Sequence, residues 1–144
     1  MSNNLNELGI YDQVAEYLEK NLEKGEGVLE LKCGNGDFAE FLAAKGFKNY
    51  HGIDDEGEAI KAAKSRVPKF KARFHTKDGN YKRNVVVCLN GTPFDTIESG
   101  QRMIVLTSGF DDYDKLCLAI NGLYQDGAKT IEHGGLFITY GTRL

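Results

Sequence analysis

Residues 28–36 read VLELKCGNG, an apolar run holding Glu30 and then a turn in which Gly34 and Gly36 flank Asn35. Glycines at such a junction let the backbone pass very close to a bound molecule, since no Cβ stands in the way. Glu30 precedes the turn, Lys32 and Cys33 open it, and Asp37 closes it at the start of the next segment. A helix N-terminus there would offer free N–H groups and the positive end of a dipole to an anion. Asp37 already occupies that end, and with Glu30 it would repel a pyrophosphate. The turn is therefore better suited to a cationic ligand than to a phosphorylated one.

Several elements must position that turn. Ile10, Val14, Tyr17, Leu18 and Leu22 recur at helical spacing, which predicts a helix over about 9–24 that Gly25 and Gly27 end. VLEL (28–31) is a short strand, and a helix through Phe38, Phe41 and Leu42 runs from Asp37 to Gly46. YHGI (50–53) is a second strand, followed by the acids Asp54 and Asp55 and a helix through Ala59, Ile60 and Ala63 that stops before Pro68. FKARFH (70–75), NVVVCL (84–89), RMIVLT (102–107) and GGLFITY (134–140) read as four further strands, with a helix marked by Leu116, Ile120 and Leu123. Strands alternating with helices predict a single α/β domain over 1–144, a Rossmann-like three-layer sandwich with a mainly parallel sheet. In such sheets ligands bind beyond the carboxyl ends of the strands, near the point where strand order reverses. The turn after VLEL occupies that place.

Two cofactor classes suit a glycine turn of this kind. Gly34-x-Gly36-x-x-Ala39 matches the dinucleotide fingerprint, which makes a dinucleotide-binding module one reading. S-adenosylmethionine has no phosphate, and its sulfonium and ammonium outnumber its one carboxylate, so an acidic lining suits it better. The segment VLELKCGNG resembles the first motif of class I S-adenosylmethionine-dependent methyltransferases, with Glu30, Cys33, Gly34, Asn35 and Gly36 at matching positions. YHGIDDE is similar to the second motif of that family. The resemblance implies that Asp54, 18 residues past Gly36, holds the two ribose hydroxyls, with Asp55 beside it. FHTKDGNY implies Asp78 near the adenine amino group, and IEHGGLFITY resembles the turn and strand near the fifth strand. Asn90 in LNGTPF stands where amino-methylating relatives carry the polar residue that orients the target nitrogen, which makes it the catalytic candidate. A plain Asn-Gly turn explains that stretch as well. Thr107 and Ser108 would take the position if RMIVLTSGF were the fourth strand, and Tyr11 stands where family members bring a tyrosine over the cofactor or, equally, in a helix core.

The chain departs from the family pattern in two places. Lys32 replaces the first glycine of the motif. Its side chain points away to pair with an acid such as Glu30 or Asp37, grips the cofactor carboxylate, or fills the pocket and excludes the cofactor. The chain also ends four residues after FITY, which predicts a sheet lacking the usual C-terminal strand pair and an exposed edge that favours a homodimer. The implied activity is methyl transfer to an unidentified nitrogen or oxygen acceptor. A non-catalytic protein that uses the fold for protein interaction is the alternative.

Composition narrows the rest. Cys33, Cys88 and Cys117 are far apart and form no C-x-x-C pair, and His51, His75 and His133 are equally scattered, so neither a disulfide framework nor a metal site is expected. The N-terminus lacks the basic start and apolar stretch of a secretory signal, and no apolar run nears the ~20 residues of a membrane span. A cytoplasmic protein without a membrane partner is the expectation. The net charge of −3 conceals an asymmetry: residues 61–83 hold nine of the 18 basic residues and only one acid, Asp78, so +8 there is set against −11 elsewhere. A solvated face with lysine-protected strand edges accounts for this, and so does a patch for an acidic acceptor or nucleic acid.

Overall fold

A computed structural model describes residues 9–22, 26–76, 85–89, 102–108, 129–133 and 136–142. In chain order the elements are α1 (Ile10–Asn21), β1 (Val28–Leu31), α2 (Asp37–Ala44), β2 (Tyr50–Ile53) and α3 (Gly57–Arg66). A 3-10 segment (Pro68–Arg73) leads to β3 (Phe74–His75), then β4 (Val85–Cys88), β5 (Arg102–Ser108), β6 (Lys129–His133) and β7 (Leu136–Thr142). One seven-stranded sheet runs in the order β3-β2-β1-β4-β5-β7-β6. Its first five strands are parallel neighbours, and β7 lies antiparallel between β5 and β6. The α/β class and the mainly parallel sheet are as the sequence predicts.

Alternation along the strands sorts the core into two layers. Val28, Val85, Val87, Ile104 and Leu106 share one face with the buried residues of α1, α2 and α3. Leu29, Leu31, Ile53, Val86, Cys88, Met103 and Val105 form the apolar layer of the other face. Burial on both sides explains why VVVC reads as a continuous apolar run instead of an alternating one. On α1 the buried residues Ile10, Tyr11, Val14, Ala15 and Leu18 keep the spacing of one helical stripe. Tyr11 packs its ring 5.0 Å from that of Phe38 and 5.5 Å from that of Phe41, so it is a core residue of α1.

Two expectations are corrected. The sheet does have a C-terminal antiparallel strand pair, because KTIEH forms β6 and pairs with β7 from His133↔Leu136 to Lys129↔Tyr140. With Ile131 as its one apolar residue, that segment carries no strand signal in sequence. Since β7 is paired on both sides, the open edge expected at FITY is not there; the outer strand is β6. FKARFH is also not a six-residue strand. Phe70 and Phe74 are buried while Ala72 between them is exposed, whereas a strand would put all three on one face. Pro68 opens a 3-10 turn instead, and only Phe74 and His75 pair with β2.

Gly52 in β2 sits in a crowded place. A Cβ there would lie 2.7 Å from Tyr50 Oη, 2.9 Å from Phe74 Cδ1 and 3.0 Å from Cys33 Sγ. Gly52→Ala is therefore expected to destabilise the domain by about 1–3 kcal/mol through overpacking, read as a lower midpoint in urea with an unchanged slope.

Candidate active site at the ends of β1 and β2

Parallel pairing of β1 with β2 sets Leu31 beside Ile53, so both chains leave the sheet together. The two exits are then tied by hydrogen bonds. Cys33 N–H donates to the Ile53 carbonyl at 3.0 Å, and Gly34 N–H donates to Asp54 Oδ2 at 2.9 Å. Glu56 N–H donates to the other carboxylate oxygen, Oδ1, at 2.9 Å. Two backbone donors thus fix the orientation of Asp54 and leave one acceptor direction on each oxygen. The order of strands reverses at β1, whose neighbours are β2 and β4, so this is the switch point of the sheet.

The turn coils through three left-handed residues, Lys32 (φ 55°), Gly34 (φ 60°) and Gly36 (φ 92°). Gly34 has open space where a Cβ would stand, as close approach of another molecule requires. Gly36 has a packing reason instead, since a Cβ would come within 3.2 Å of Ala63 Cβ at the α2–α3 contact. Lys32 takes a conformation that costs a non-glycine residue roughly 1 kcal/mol. Its side chain is exposed, so it does not fill a buried pocket.

Glu30 behaves unlike the surface carboxylate its sequence position suggests. It is 1% exposed and accepts a 2.5 Å hydrogen bond from Tyr50 Oη. Burial pushes its pKa up to about 8, with the Tyr50 bond opposing and the charges of Asp37 and Asp54 adding. At neutral pH Glu30 is mainly protonated. Tyr50 is held well above its ordinary range by burial and by Glu30. Burial likewise raises the thiols of Cys33 and Cys88, Glu30 adding to both and Lys32 opposing at Cys88. Neither cysteine has the exposure or low pKa of a nucleophile. Asp37, expected to line the site, is ion-paired to Arg66, which also reaches Glu40 at 3.2 Å. The negative lining is accordingly weaker than the residue types imply, and Asp54 with the exposed Asp55 carries most of it.

The structure brings together Glu30, Lys32, Cys33, Gly34, Asn35, Gly36, Asp54 and Asp55. Asp78 and Asn90 lie outside the described residues. VVVC is the fourth strand and RMIVLTS the fifth, so Thr107 and Ser108 do not follow β4. Sequence reasoning missed Tyr50 and Arg66. An aromatic residue at the start of a strand and an arginine within a basic run signal nothing about their partners 20 and 29 positions away.

No protein-family model and no curated protein matches the chain in sequence. Solved structures do match in fold. A ribosomal protein L11 methylase from Lactobacillus delbrueckii subsp. bulgaricus is 16% identical, covering 99% of this chain and 80% of its own, with a TM-score of 0.74. A SAM-dependent methyltransferase from Aquifex aeolicus is 15% identical over 99% of this chain and 94% of its own, with a TM-score of 0.72. A magnesium protoporphyrin IX methyltransferase from Synechocystis PCC 6803, solved with bound SAM, is 18% identical over 97% of this chain and 81% of its own, with a TM-score of 0.69. The chain has the fold of these S-adenosylmethionine-dependent methyltransferases. Among the described residues no helix is long and apolar enough to cross a membrane.

Proposed function

We propose that the chain binds S-adenosylmethionine where β1 and β2 end and transfers its methyl group to a nitrogen or oxygen acceptor. The observation that carries this reading is the carboxylate of Asp54, oriented by Gly34 and Glu56 N–H groups with one acceptor direction left on each oxygen. That arrangement suits the two adjacent hydroxyls of a ribose. The residues fit the cofactor in other respects. Gly34 leaves open space for close approach, Asn35 and Asp55 are exposed beside it, and Cys33 ties the turn to β2. Protonated Glu30 forms a neutral floor below the turn. Lys32 offers its ammonium to the cofactor carboxylate. Asp78 and Asn90 are assigned to the adenine amino group and the acceptor on sequence resemblance alone.

Bound S-adenosylmethionine supplies a methyl group on a sulfonium, already a good leaving group. The residues of the chain need mainly to align the acceptor and exclude water, so no strong general base is required. A dinucleotide site is less well supported, because that fold has the strand order 3-2-1-4-5-6. The order here ends 5-7-6, with β7 antiparallel. A non-catalytic role would be favoured by Lys32 buried in the pocket, and Lys32 is exposed. Cys33 and Cys88 as free buried thiols suit a cytoplasmic setting.

Thermal unfolding with and without S-adenosylmethionine tests the site together with the Lys32→Gly variant. The wild type is expected to gain several degrees at saturating ligand. Without ligand the variant should be up to about 1 kcal/mol more stable, having lost the left-handed lysine. Its ligand-induced shift should be smaller than the wild type's. A larger shift would mean that Lys32 obstructs the site, and no shift in either protein would contradict the proposal.

A further inference from the structure

α3 and the 3-10 segment after it carry a cationic surface that the methyl-transfer reading does not use. Residues 59–76 contain Lys61, Lys64, Arg66, Lys69, Lys71 and Arg73 and no acid, in a chain whose net charge is −3. Arg66 is neutralised by Asp37 and Glu40. The others are anchored differently or not at all. Arg73 donates to the Lys48 carbonyl at 3.1 Å and Lys69 to the Ala43 carbonyl at 3.4 Å, bonds that position a cation without cancelling its charge. Among the described residues, no carboxylate lies within ion-pair distance of Lys48, Lys61, Lys64, Lys69, Lys71 or Arg73.

Three of these side chains are placed along α2 by their contacts: Arg66, Lys69 and Arg73. They run from Asp37 at the N-terminal end of α2, where Arg66 is bound, to Ala43 in its last turn and to Lys48 beyond it. The eight residues of α2 alone span about 12 Å. Over such a length one strand of a nucleic-acid duplex presents about three phosphates. The apolar side chains of the segment are turned inward: Val67, Phe70 and Phe74 are each at most 2% exposed, and between the cations the surface shows only Ala62, Ser65, Pro68 and Ala72. A protein partner draws its affinity from aromatic and aliphatic anchors, and a membrane surface needs an apolar face to insert. Neither is present among the described residues of this segment. A row of cations without apolar anchors matches a regular array of phosphates.

We propose that the surface formed by Lys48, Lys61, Lys64, Lys69, Lys71 and Arg73 docks the phosphate backbone of a nucleic acid. This holds whether or not the cofactor reading holds, because the surface binds without cofactor. The test is fluorescence anisotropy of a labelled 20-nucleotide RNA, single-stranded and as a duplex, at several salt concentrations. For the wild type, log K should fall with log salt with a slope of about −2 for the single strand and about −3 for the duplex. The triple variant Lys61→Gln, Lys64→Gln, Lys71→Gln should bind at least ~10-fold more weakly, with a slope shallower by about 1. It should melt like the wild type, since no described carboxylate depends on these lysines. Lys20→Gln, on α1 and paired with Glu16, should bind RNA unchanged. The proposal is overturned if neither RNA binds at 50 mM salt or if the triple variant binds like the wild type. Equal competition by polyglutamate would point to an acidic protein instead, and equal competition by phosphatidylserine vesicles to a membrane surface; both overturn it.

Discussion

Asp54→Ala is expected to weaken S-adenosylmethionine binding by about 100-fold. Two hydroxyl donors to a carboxylate contribute at least ~3 kcal/mol together, and ~1.4 kcal/mol is a factor of ten. The loss has a second source in the architecture. Asp54 also receives the Gly34 and Glu56 N–H groups, so alanine removes one of the two bonds that tie the glycine turn to the β2 exit. Asp54→Asn keeps one acceptor oxygen and the side-chain shape, and a loss nearer ~10-fold is expected. Equilibrium dialysis with labelled cofactor measures both. Binding of Asp54→Ala as tight as the wild type's would remove Asp54 from the site.

The second large effect lies in stability against pH. Glu30 has a pKa of about 8 in the folded protein, against 4.5 for an ordinary glutamate. The folded state therefore holds a proton that the unfolded state gives up between those values, and stability falls as pH rises. The contribution is fully present below about pH 4.5 and is lost as pH passes through about 8. The total is on the order of 5 kcal/mol, because one pKa unit corresponds to ~1.4 kcal/mol. Glu30→Gln removes the titration and keeps an oxygen for Tyr50 Oη. The variant should show a much flatter profile between pH 5 and 9 and exceed the wild type in stability at pH 9. Urea unfolding across that range checks it. Parallel profiles for the two proteins would mean that Glu30 is ionised at neutral pH.

Much of the site was legible in the sequence because it is local. The glycine turn, the strands on either side and the acid after YHGI lie within 28 consecutive residues, from Val28 to Asp55, and the resemblance of the two motifs already implied that Asp54 belongs to the same site as the turn. Pairings across the fold were not legible. Nothing near Glu30 reveals that Tyr50 covers it, and so a buried neutral acid read as a negative lining. Arg66 read as one more surface cation, although it neutralises Asp37. KTIEH was missed because an outer strand with little apolar content is held by its ladder with β7 more than by a hydrophobic pattern. FKARFH misled for the opposite reason: two phenylalanines four apart suggest a strand by composition, while Pro68 and the burial of both rings fix a turn.

The most direct test of the account is calorimetric titration of the protein with S-adenosylmethionine, S-adenosylhomocysteine and NAD. The account predicts micromolar binding of the first two, near −8 kcal/mol, and none of NAD. Binding of NAD without the other two would assign the turn to a dinucleotide, and no binding of any would leave the fold without the proposed cofactor.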